Sequence, residues 1–352
     1  YKGEYMNYID IPCTINGLEE YRDEDGFIDF DKIGVNVIQS DAREKMGTVE
    51  KDKYWVRLKD GTKILLKSGL LLDNKETASP YAELIVEELA KQVGLNCAHC
   101  DLVKFNGKKG IYSQSILKEG EQLISLNAIL DIDNRVEDSF NDITNLEDII
   151  QSFPAFLKSE GLNKEQSYQV VYDMLKQLIF QMHTLNADGH TENMSIIRDN
   201  EGKIRMSPLY DNEDSLLLNI EEETLEKLAF NELGINDIQK NIYPKIALLP
   251  EDIYEDDLLG EDIWEYTYDC INVDISAEDV SDFIYDCQDN LDIGLAIKNV
   301  EDRIKAPLPI EVSRCATTAF LSRKNDIEKV MFRGYTSSID YNRNDPSKDV
   351  LT

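Results

Sequence analysis

The sequence is poor in positive charge and in cysteine, and each shortage excludes a class of protein. Its 352 residues include 37 Lys and Arg against 69 Asp and Glu, which gives a formal net charge of −32. A surface this acidic repels nucleic-acid backbones and anionic lipid headgroups, so we expect neither direct nucleic-acid binding nor a membrane surface as partner. Six cysteines are too few for a disulfide scaffold and indicate reduced thiols in a cytoplasmic protein.

Long apolar runs and metal-ligand clusters are also missing. No run reaches the roughly 18 apolar residues that a membrane span requires, and no signal-peptide pattern opens at Tyr1. Cys97-Ala-His-Cys100 lacks a second pair of ligands nearby, so we interpret its cysteines as ordinary residues entering a strand. The apolar fraction of 42% is nevertheless enough for a globular core.

The first 118 residues predict a small sheet with one helix. Tyr54 to Leu58 alternates polar and apolar residues, Asp60-Gly61 is a hairpin turn signal, and residues 62–67 return as a strand that ends at Lys67. Ser79 and Pro80 then form an N-cap and first-turn pair, and a helix with an apolar stripe runs from there to Gly94. A second strand pair follows: 100–105 and 110–117, with a turn at Asn106-Gly107.

Beyond about residue 120 the apolar spacing becomes helical. A long buried helix is predicted over 166–185, and the polar loop 186–193 follows it. Two short strands at 194–197 and 203–206 then lead into Ser207-Pro-Leu-Tyr-Asp211. The rest of the chain is predicted as helices with acidic connections.

The order of certain polar residues matches what phosphoryl transfer requires. That chemistry needs a lysine for the phosphates, a glutamate to hold it, an aspartate near the attacking hydroxyl, and oxygen ligands for Mg²⁺. Lys67 lies at the end of a strand and Glu83 lies on the following helix, although Glu87 one turn further on is an open alternative. Asp188 and Asn193 share one loop, and Asp211 follows a two-strand hairpin.

These segments resemble the HipA-like serine/threonine kinases. Their catalytic loop, Asp-Arg-His-x-x-Asn, is matched by Asp188-Gly-His-Thr-Glu-Asn193, and their metal-binding segment by Pro208-Leu-Tyr-Asp211. The strand pair 54–67, the helix 82–95 and the strand and hinge 107–117 are also similar. The loop bears a more distant similarity to phosphatidylinositol 3/4-kinase-like enzymes.

The resemblance implies a fold class, an activity and a set of roles. The fold would be α+β and two-lobed, protein-kinase-like, with a β-rich lobe over residues 1–118 and a larger helical lobe over 119–352. ATP and Mg²⁺ would bind between the lobes, and the γ-phosphoryl group would pass to a Ser or Thr hydroxyl of a protein. The implied roles are as follows: Asp188 catalytic base or hydroxyl-orienting residue, Lys67 phosphate-binding, Glu83 its partner, Asn193 and Asp211 Mg²⁺ ligands. From its place between Asp188 and Asn193, His190 is expected to support the loop by hydrogen bonds rather than to act in catalysis.

Two departures from the family pattern leave other functions open. Gly189 replaces the family's Arg, and residues 37–47, upstream of Lys67, contain a single glycine in place of a glycine-rich loop. Ser40 lies in that stretch and is the candidate for autophosphorylation. The alternatives are a catalytically weak pseudokinase that acts as an acidic protein-binding module, and a lipid or small-molecule kinase.

The acidic charge is concentrated in one stretch. Residues 246–297 contain 16 Asp or Glu and no Lys or Arg. This stretch is either a solvated face or a docking surface for a basic protein substrate. The family resemblance also implies a toxin–antitoxin setting with a partner of antitoxin type.

Overall fold

The computed structural model describes residues 8–33, 52–72, 75–132, 144–230, 232–234, 246–247 and 277–343. A six-stranded sheet occupies the N-terminal third, and most of the described remainder is helical. The strands are β1 (Ile9–Ile11), β2 (Ile28–Asp29), β3 (Lys53–Leu58), β4 (Lys63–Ser68), β5 (Leu71–Leu72), β6 (Lys75–Glu76), β7 (Cys100–Phe105), β8 (Lys108–Gln114), β9 (Gln122–Ser125), β10 (Thr144–Asn145), β11 (Ser195–Arg198), β12 (Ile204–Met206) and β13 (Ile246–Ala247). The α-helices are α1 (Ser79–Gln92), α2 (Leu126–Ile132), α3 (Leu146–Ser159), α4 (Lys164–His183), α5 (Glu222–Ala229), α6 (Ala277–Asn290), α7 (Ile293–Ile304) and α8 (Ile310–Arg343).

The main sheet is built on the two predicted hairpins. Its strand order is β1-β3-β4-β8-β7-β2, and β3–β4, β4–β8 and β8–β7 pair antiparallel. Both hairpins are confirmed, with β4 continuing one residue beyond Lys67 and β8 ending at Gln114. Strands β1 and β2 were not predicted from the sequence; they add to the two edges in parallel. Each edge strand has only two or three residues, too few for a periodic pattern.

The strands β4 and β8 approach each other closely beside Lys67. Gly110 on β8 pairs with Ser68, and a Cβ atom at Gly110 would lie 2.1 Å from the carbonyl oxygen of Lys67. No side chain larger than hydrogen fits at that position without moving a strand. Gly110 therefore fixes the strand that carries Lys67 against the centre of the sheet.

Helix α1 packs against the sheet as predicted, but its N-terminus differs from the prediction. The helix begins at Ser79, Ala78 precedes it, and Ala78 makes no side-chain cap. The prediction of Ser79 as the N-cap is wrong because its hydroxyl oxygen accepts the N–H of Leu70 at 2.9 Å. Gly94, with φ of +67°, follows the helix as expected.

The helical region places a second, three-stranded sheet beneath helix α4. Its order is β12-β11-β9, and β11 and β12 confirm the two predicted short strands to within one residue. Helix α4 begins with a reciprocal capping box between Asn163 and Gln166. It ends at His183, directly before the polar loop.

Two hydrophobic clusters form the core of the described residues. The smaller cluster lies among β1 to β4, β7 and β8 and includes Phe30, Val56 and Phe105. The larger cluster joins α1 to the helices beyond residue 120 and includes α7, which packs directly on α1. Helix α1 therefore packs between the sheet and α7, which lies about 200 residues further along the chain. Among the described helices, none is both long and apolar enough to cross a membrane.

Candidate active site

Three carboxylates surround the ammonium group of Lys67. Its Nζ lies 3.4 Å from Oε1 of Glu83, 3.1 Å from Oε1 of Glu213, and also bonds to Oδ1 of Asp211. The side chains of Lys67, Glu83 and Glu213 are only 6%, 3% and 6% exposed, whereas that of Asp211 is 25% exposed. The structure therefore brings together three of the residues predicted from the sequence. Because they stand 16 and 144 residues apart, only the fold can place them in contact.

Glu213 was missed by the sequence analysis. It stands two residues after Asp211 in Asp211-Asn-Glu213, and its carboxylate is closer to Lys67 than that of Glu83. An acidic residue two positions beyond a predicted metal-binding aspartate was the available signal. In an acidic chain such a residue carries little information without the fold.

Glu83, and not Glu87, is the glutamate that contacts Lys67. While its Oε1 faces Lys67, its Oε2 accepts the backbone N–H of Asn212 at 2.9 Å. Glu83 therefore links the strand lysine to the Asp211 segment through one carboxylate.

Glu87 is occupied by a different set of partners. Its Oε1 lies 2.9 Å from Nδ1 of His99 and 2.8 Å from Nζ of Lys91. Its Oε2 lies 2.8 Å from Arg303 on α7 and accepts the N–H of Cys100 at 3.1 Å. This cluster joins α1, α7 and the start of β7, so Glu87 anchors the helix that presents Glu83.

The charges around Lys67 shift the pKa values in the site. Burial raises the pKa of Glu83 to about 7, although the charge of Lys67 acts in the opposite direction. The charges of Asp211 and Glu213 add to the rise because they repel a further carboxylate. Burial alone would lower the pKa of Lys67, but the surrounding carboxylates hold it well above its ordinary value. Lys67 is therefore a permanent cation at neutral pH.

The segment that carries Asp211 is fixed at several points. The backbone of Leu209 pairs with the turn after α1: its N–H donates to the carbonyl of Asn96 at 2.9 Å, and its carbonyl accepts from Ala98 at 2.7 Å. The hydroxyl of Tyr210 donates to the carbonyl of Glu192 at 2.9 Å. Asp211 itself has φ of +60°, a left-handed conformation that costs about 1 kcal/mol or more for a residue with a side chain. The surrounding contacts hold Asp211 in this conformation.

The loop after α4 forms its own hydrogen-bonded turn. Nδ2 of Asn193 donates to the carbonyl oxygen of Asp188 at 2.9 Å and to its Oδ2 at 3.3 Å. The N–H of Asp188 donates to Oδ1 of Asn186 at 3.0 Å. The structure thus places Asp188 and Asn193 side by side across the five-residue separation.

His190 makes contacts within this loop. Its Nδ1 accepts the N–H of Glu192 at 3.1 Å, which leaves Nε2 to carry the proton. That Nε2 lies 3.5 Å from Oδ2 of Asp188. These contacts suit the predicted supporting role, because they join both ends of the loop to one ring.

The donor chemistry of the predicted metal ligands fits Mg²⁺. Asn193 and Asp211 offer an amide and a carboxylate oxygen, the hard ligands that Mg²⁺ prefers, and Mg²⁺ commonly keeps several waters or phosphate oxygens. Within the part of the chain that the structure describes, no group of three or more His, Cys, Asp or Glu side chains could hold a metal ion by itself.

Some sequence predictions lie outside the described residues. Ser40 and the whole stretch 37–47 lie outside the described residues, as do residues 248–276 of the acidic stretch. Gly189, the departure in the catalytic loop, is described and lies between Asp188 and His190.

A match to a known protein family identifies the family of the chain. Residues 40–241, more than half of the chain, match the model of the HipA-like C-terminal domain. The chain belongs to this family. The match includes Lys67 with its three carboxylates, Glu83, Asp211 and Glu213, and the loop 186–193, but it ends before α6, α7 and α8. A search of curated proteins finds no match.

Two solved structures resemble the chain in fold. The crystal structure of a Helicobacter pylori proinflammatory kinase, CtkA, has a TM-score of 0.56 at 16% identity and covers 83% of this chain and 95% of its own. A Shewanella oneidensis MR-1 toxin–antitoxin complex of HipA, HipB and operator DNA has a TM-score of 0.51 at 16% identity, over 85% of this chain and 68% of its own. The predicted α+β, kinase-like fold is confirmed, and the chain is a kinase-like protein of the HipA type. The boundary between residues 118 and 119 stays a prediction.

Proposed function

We propose that the protein is a cytoplasmic, ATP- and Mg²⁺-dependent kinase that transfers the γ-phosphoryl group to a Ser or Thr hydroxyl of a protein. The contact of Lys67 with Glu83 and Asp211 is the observation that carries this proposal. This cluster combines a lysine, a glutamate on a helix and an aspartate after a hairpin. These are the residues that position a nucleoside triphosphate in kinases. The nucleotide would lie between the lobes formed by residues 1–118 and 119–352.

Each residue has a defined task in this proposal. Lys67 binds phosphate oxygens, and Glu83 keeps the ammonium group in place. Asn193 and Asp211 would hold Mg²⁺, which when bound neutralises charge that develops on the phosphates. Asp188 orients the attacking hydroxyl and accepts its proton as the new P–O bond forms and the bond to the β-phosphate oxygen breaks. His190 keeps Asp188 and Asn193 in one loop.

A phosphate-transfer assay on loop variants tests the proposal. With labelled ATP and Mg²⁺, we expect Asp188→Asn to reduce incorporation by a factor on the order of a hundred or more, because the hydroxyl loses its proton acceptor. The control is Glu192→Gln, which removes a charge from an exposed side chain of the same loop and should retain wild-type transfer. An Asp188→Asn protein that is folded and labels at the wild-type rate would show that the catalytic assignment is wrong. Mass spectrometry of the labelled chain tests Ser40 as the autophosphorylated residue.

The pseudokinase alternative rests on Gly189, which removes a loop cation that the family pattern contains. A thermal shift separates the two functions: a metal-dependent rise in melting temperature with ATP supports a working nucleotide site. No shift at millimolar nucleotide supports the pseudokinase that acts as a binding module. Labelling of a lipid or small molecule in place of protein supports the third alternative.

The partner is proposed from charge. A basic protein substrate suits the acidic chain, and the described part of the acidic stretch includes α6 with exposed Asp282 and Asp289. Binding to such a partner should weaken with salt. A partner of antitoxin type is proposed from the family alone. The cytoplasmic location is supported by the five described cysteines, which form no disulfide.

A further inference from the structure

The ammonium group of Lys67 is already shared among three carboxylates. A lysine ammonium carries three N–H donors, and Nζ of Lys67 contacts the three carboxylates of Glu83, Asp211 and Glu213. The lysine side chain is buried, so a phosphate can reach its ammonium group only at the position of these carboxylates. At least one carboxylate must therefore leave Lys67 before it can bind a nucleotide.

Asp211 is the carboxylate best placed to leave. It is the most exposed of the three, and the proposed function gives it a metal ion to hold. Glu83 is buried and is held on its other oxygen by the N–H of Asn212. Glu213 is also buried, and its backbone lies in a turn: the N–H of Ser215 donates to the carbonyl of Asn212 at 3.2 Å.

Glu213 then remains as a second negative charge beside the lysine. The cluster of one lysine and three carboxylates has a formal charge of −2, and the departure of Asp211 reduces it to −1. Glu83 and Glu213 then both remain in contact with the single ammonium group of Lys67. An incoming triphosphate is itself strongly negative and meets this charge in a poorly hydrated place.

We infer that Glu213 competes with nucleotide phosphate for the ammonium group of Lys67 and thereby weakens the binding of nucleoside triphosphates. The inference deepens the proposed function and rests on it. Glu213 limits nucleotide affinity, while Glu83 on the same ammonium group positions the lysine.

The affinity of the Glu213→Gln variant for Mg-ATP tests the inference. Gln keeps the shape and an acceptor oxygen for Lys67 but removes the charge, so the Kd measured by calorimetry should fall by about tenfold. The control is Glu223→Gln, which removes one charge from an exposed residue of α5 and should leave the Kd unchanged.

The outcomes separate this inference from the proposed function. Tighter binding by E213Q supports the inference, most strongly if the wild type binds too weakly to measure. Equal or weaker binding by E213Q, in a wild type that binds Mg-ATP, overturns the inference and leaves the proposed function standing. If neither protein binds Mg-ATP, the proposed function and the inference both fail. Should E213Q not fold, Glu213→Asp withdraws the carboxylate by one methylene and should tighten binding by a smaller factor; unchanged binding then contradicts the inference.

Discussion

Two glutamates lie one turn apart on helix α1 in opposite electrostatic settings. Glu83 shares the single charge of Lys67 with two other carboxylates, and burial raises its pKa to about 7. Glu87 is also buried, but hydrogen bonding to His99 and the charge of Arg303 overcome that burial and lower its pKa to about 2. The two side chains are equally inaccessible, so the number of cations around each makes the difference.

The difference distinguishes the proposed nucleotide-binding cluster around Lys67 from a structural cluster around Glu87. Around Glu87 the positive charge comes from the protein itself, from Lys91 and Arg303, and the cluster is complete without a ligand. Around Glu83 three carboxylates share the ammonium group of Lys67 in a largely buried place, which costs free energy of folding. Strongly shifted pKa values of buried carboxylates are typical of functional sites. Asp211 is the member of this cluster that is proposed as a Mg²⁺ ligand.

Removing Lys67 should have the largest effect on both stability and phosphate transfer. In Lys67→Met the buried carboxylates lose their shared cation, so the free energy of unfolding at neutral pH should fall by about 3–5 kcal/mol. Phosphate transfer should fall by a factor on the order of a thousand, because the phosphates lose their ligand. Urea unfolding and the labelled-ATP assay measure the two effects.

The matched control is Lys91→Met, which removes a half-exposed cation from beside Glu87 and should cost about 1 kcal/mol or less. Retained transfer in Lys67→Met would contradict the assignment of the site.

Removing Arg303 should damage the other cluster and spare the nucleotide. Arg303→Met takes away the cation that ties α7 to Glu87, so we expect a loss of about 2–3 kcal/mol in the free energy of unfolding. The Kd for Mg-ATP should change little, because Glu83 and Lys67 keep their contacts. Urea unfolding and calorimetry on the same protein check both expectations.

Lys305→Met serves as the control, since its exposed ammonium group pairs with Glu19 and should contribute less than about 1 kcal/mol. If the Kd of Arg303→Met rose in proportion to the lost stability, the Glu87 cluster would belong to the functional site as well.

The parts that could be predicted from the sequence are those set by neighbouring residues. The turns at Asp60-Gly61 and Asn106-Gly107 specify their hairpins locally, and both hairpins are present. The loop 186–193 is also local, because five residues separate Asp188 from Asn193 and the turn closes on itself.

What could not be predicted depends on contacts between distant segments. The sequence left Glu83 and Glu87 as alternatives because both lie on the margin of the same helical stripe. The choice is made by α7, whose Arg303 lies 216 residues beyond Glu87. Glu213 was missed for the same reason. Ser79 failed as an N-cap because its hydroxyl accepts the N–H of Leu70, which lies nine residues earlier and outside the pattern of the helix start. Local patterns specify elements, but the partners of a polar side chain are chosen by packing.

The pH dependence of stability should distinguish the two glutamates by sign. The folded-state pKa of Glu83 is raised from 4.5 to about 7, so its contribution is complete below pH 4.5 and is lost as the pH rises through about 7. The pKa of Glu87 is lowered to about 2, so its contribution is present above pH 4.5 and is lost as the pH falls towards 2. Each contribution should be on the order of 1–3 kcal/mol.

Glu83→Gln and Glu87→Gln should therefore change the pH dependence of the free energy of unfolding in opposite directions, although both residues lie on α1. Urea unfolding between about pH 3 and pH 8 should show that E83Q loses the decline in stability above pH 4.5, whereas E87Q loses the decline below it. The slope is the informative quantity, because each substitution also removes contacts that shift the whole curve. Identical slope changes in the two variants would mean that the charges around Glu83 and Glu87 are balanced alike, and the contrast between the proposed nucleotide-binding cluster and the structural cluster would then be lost.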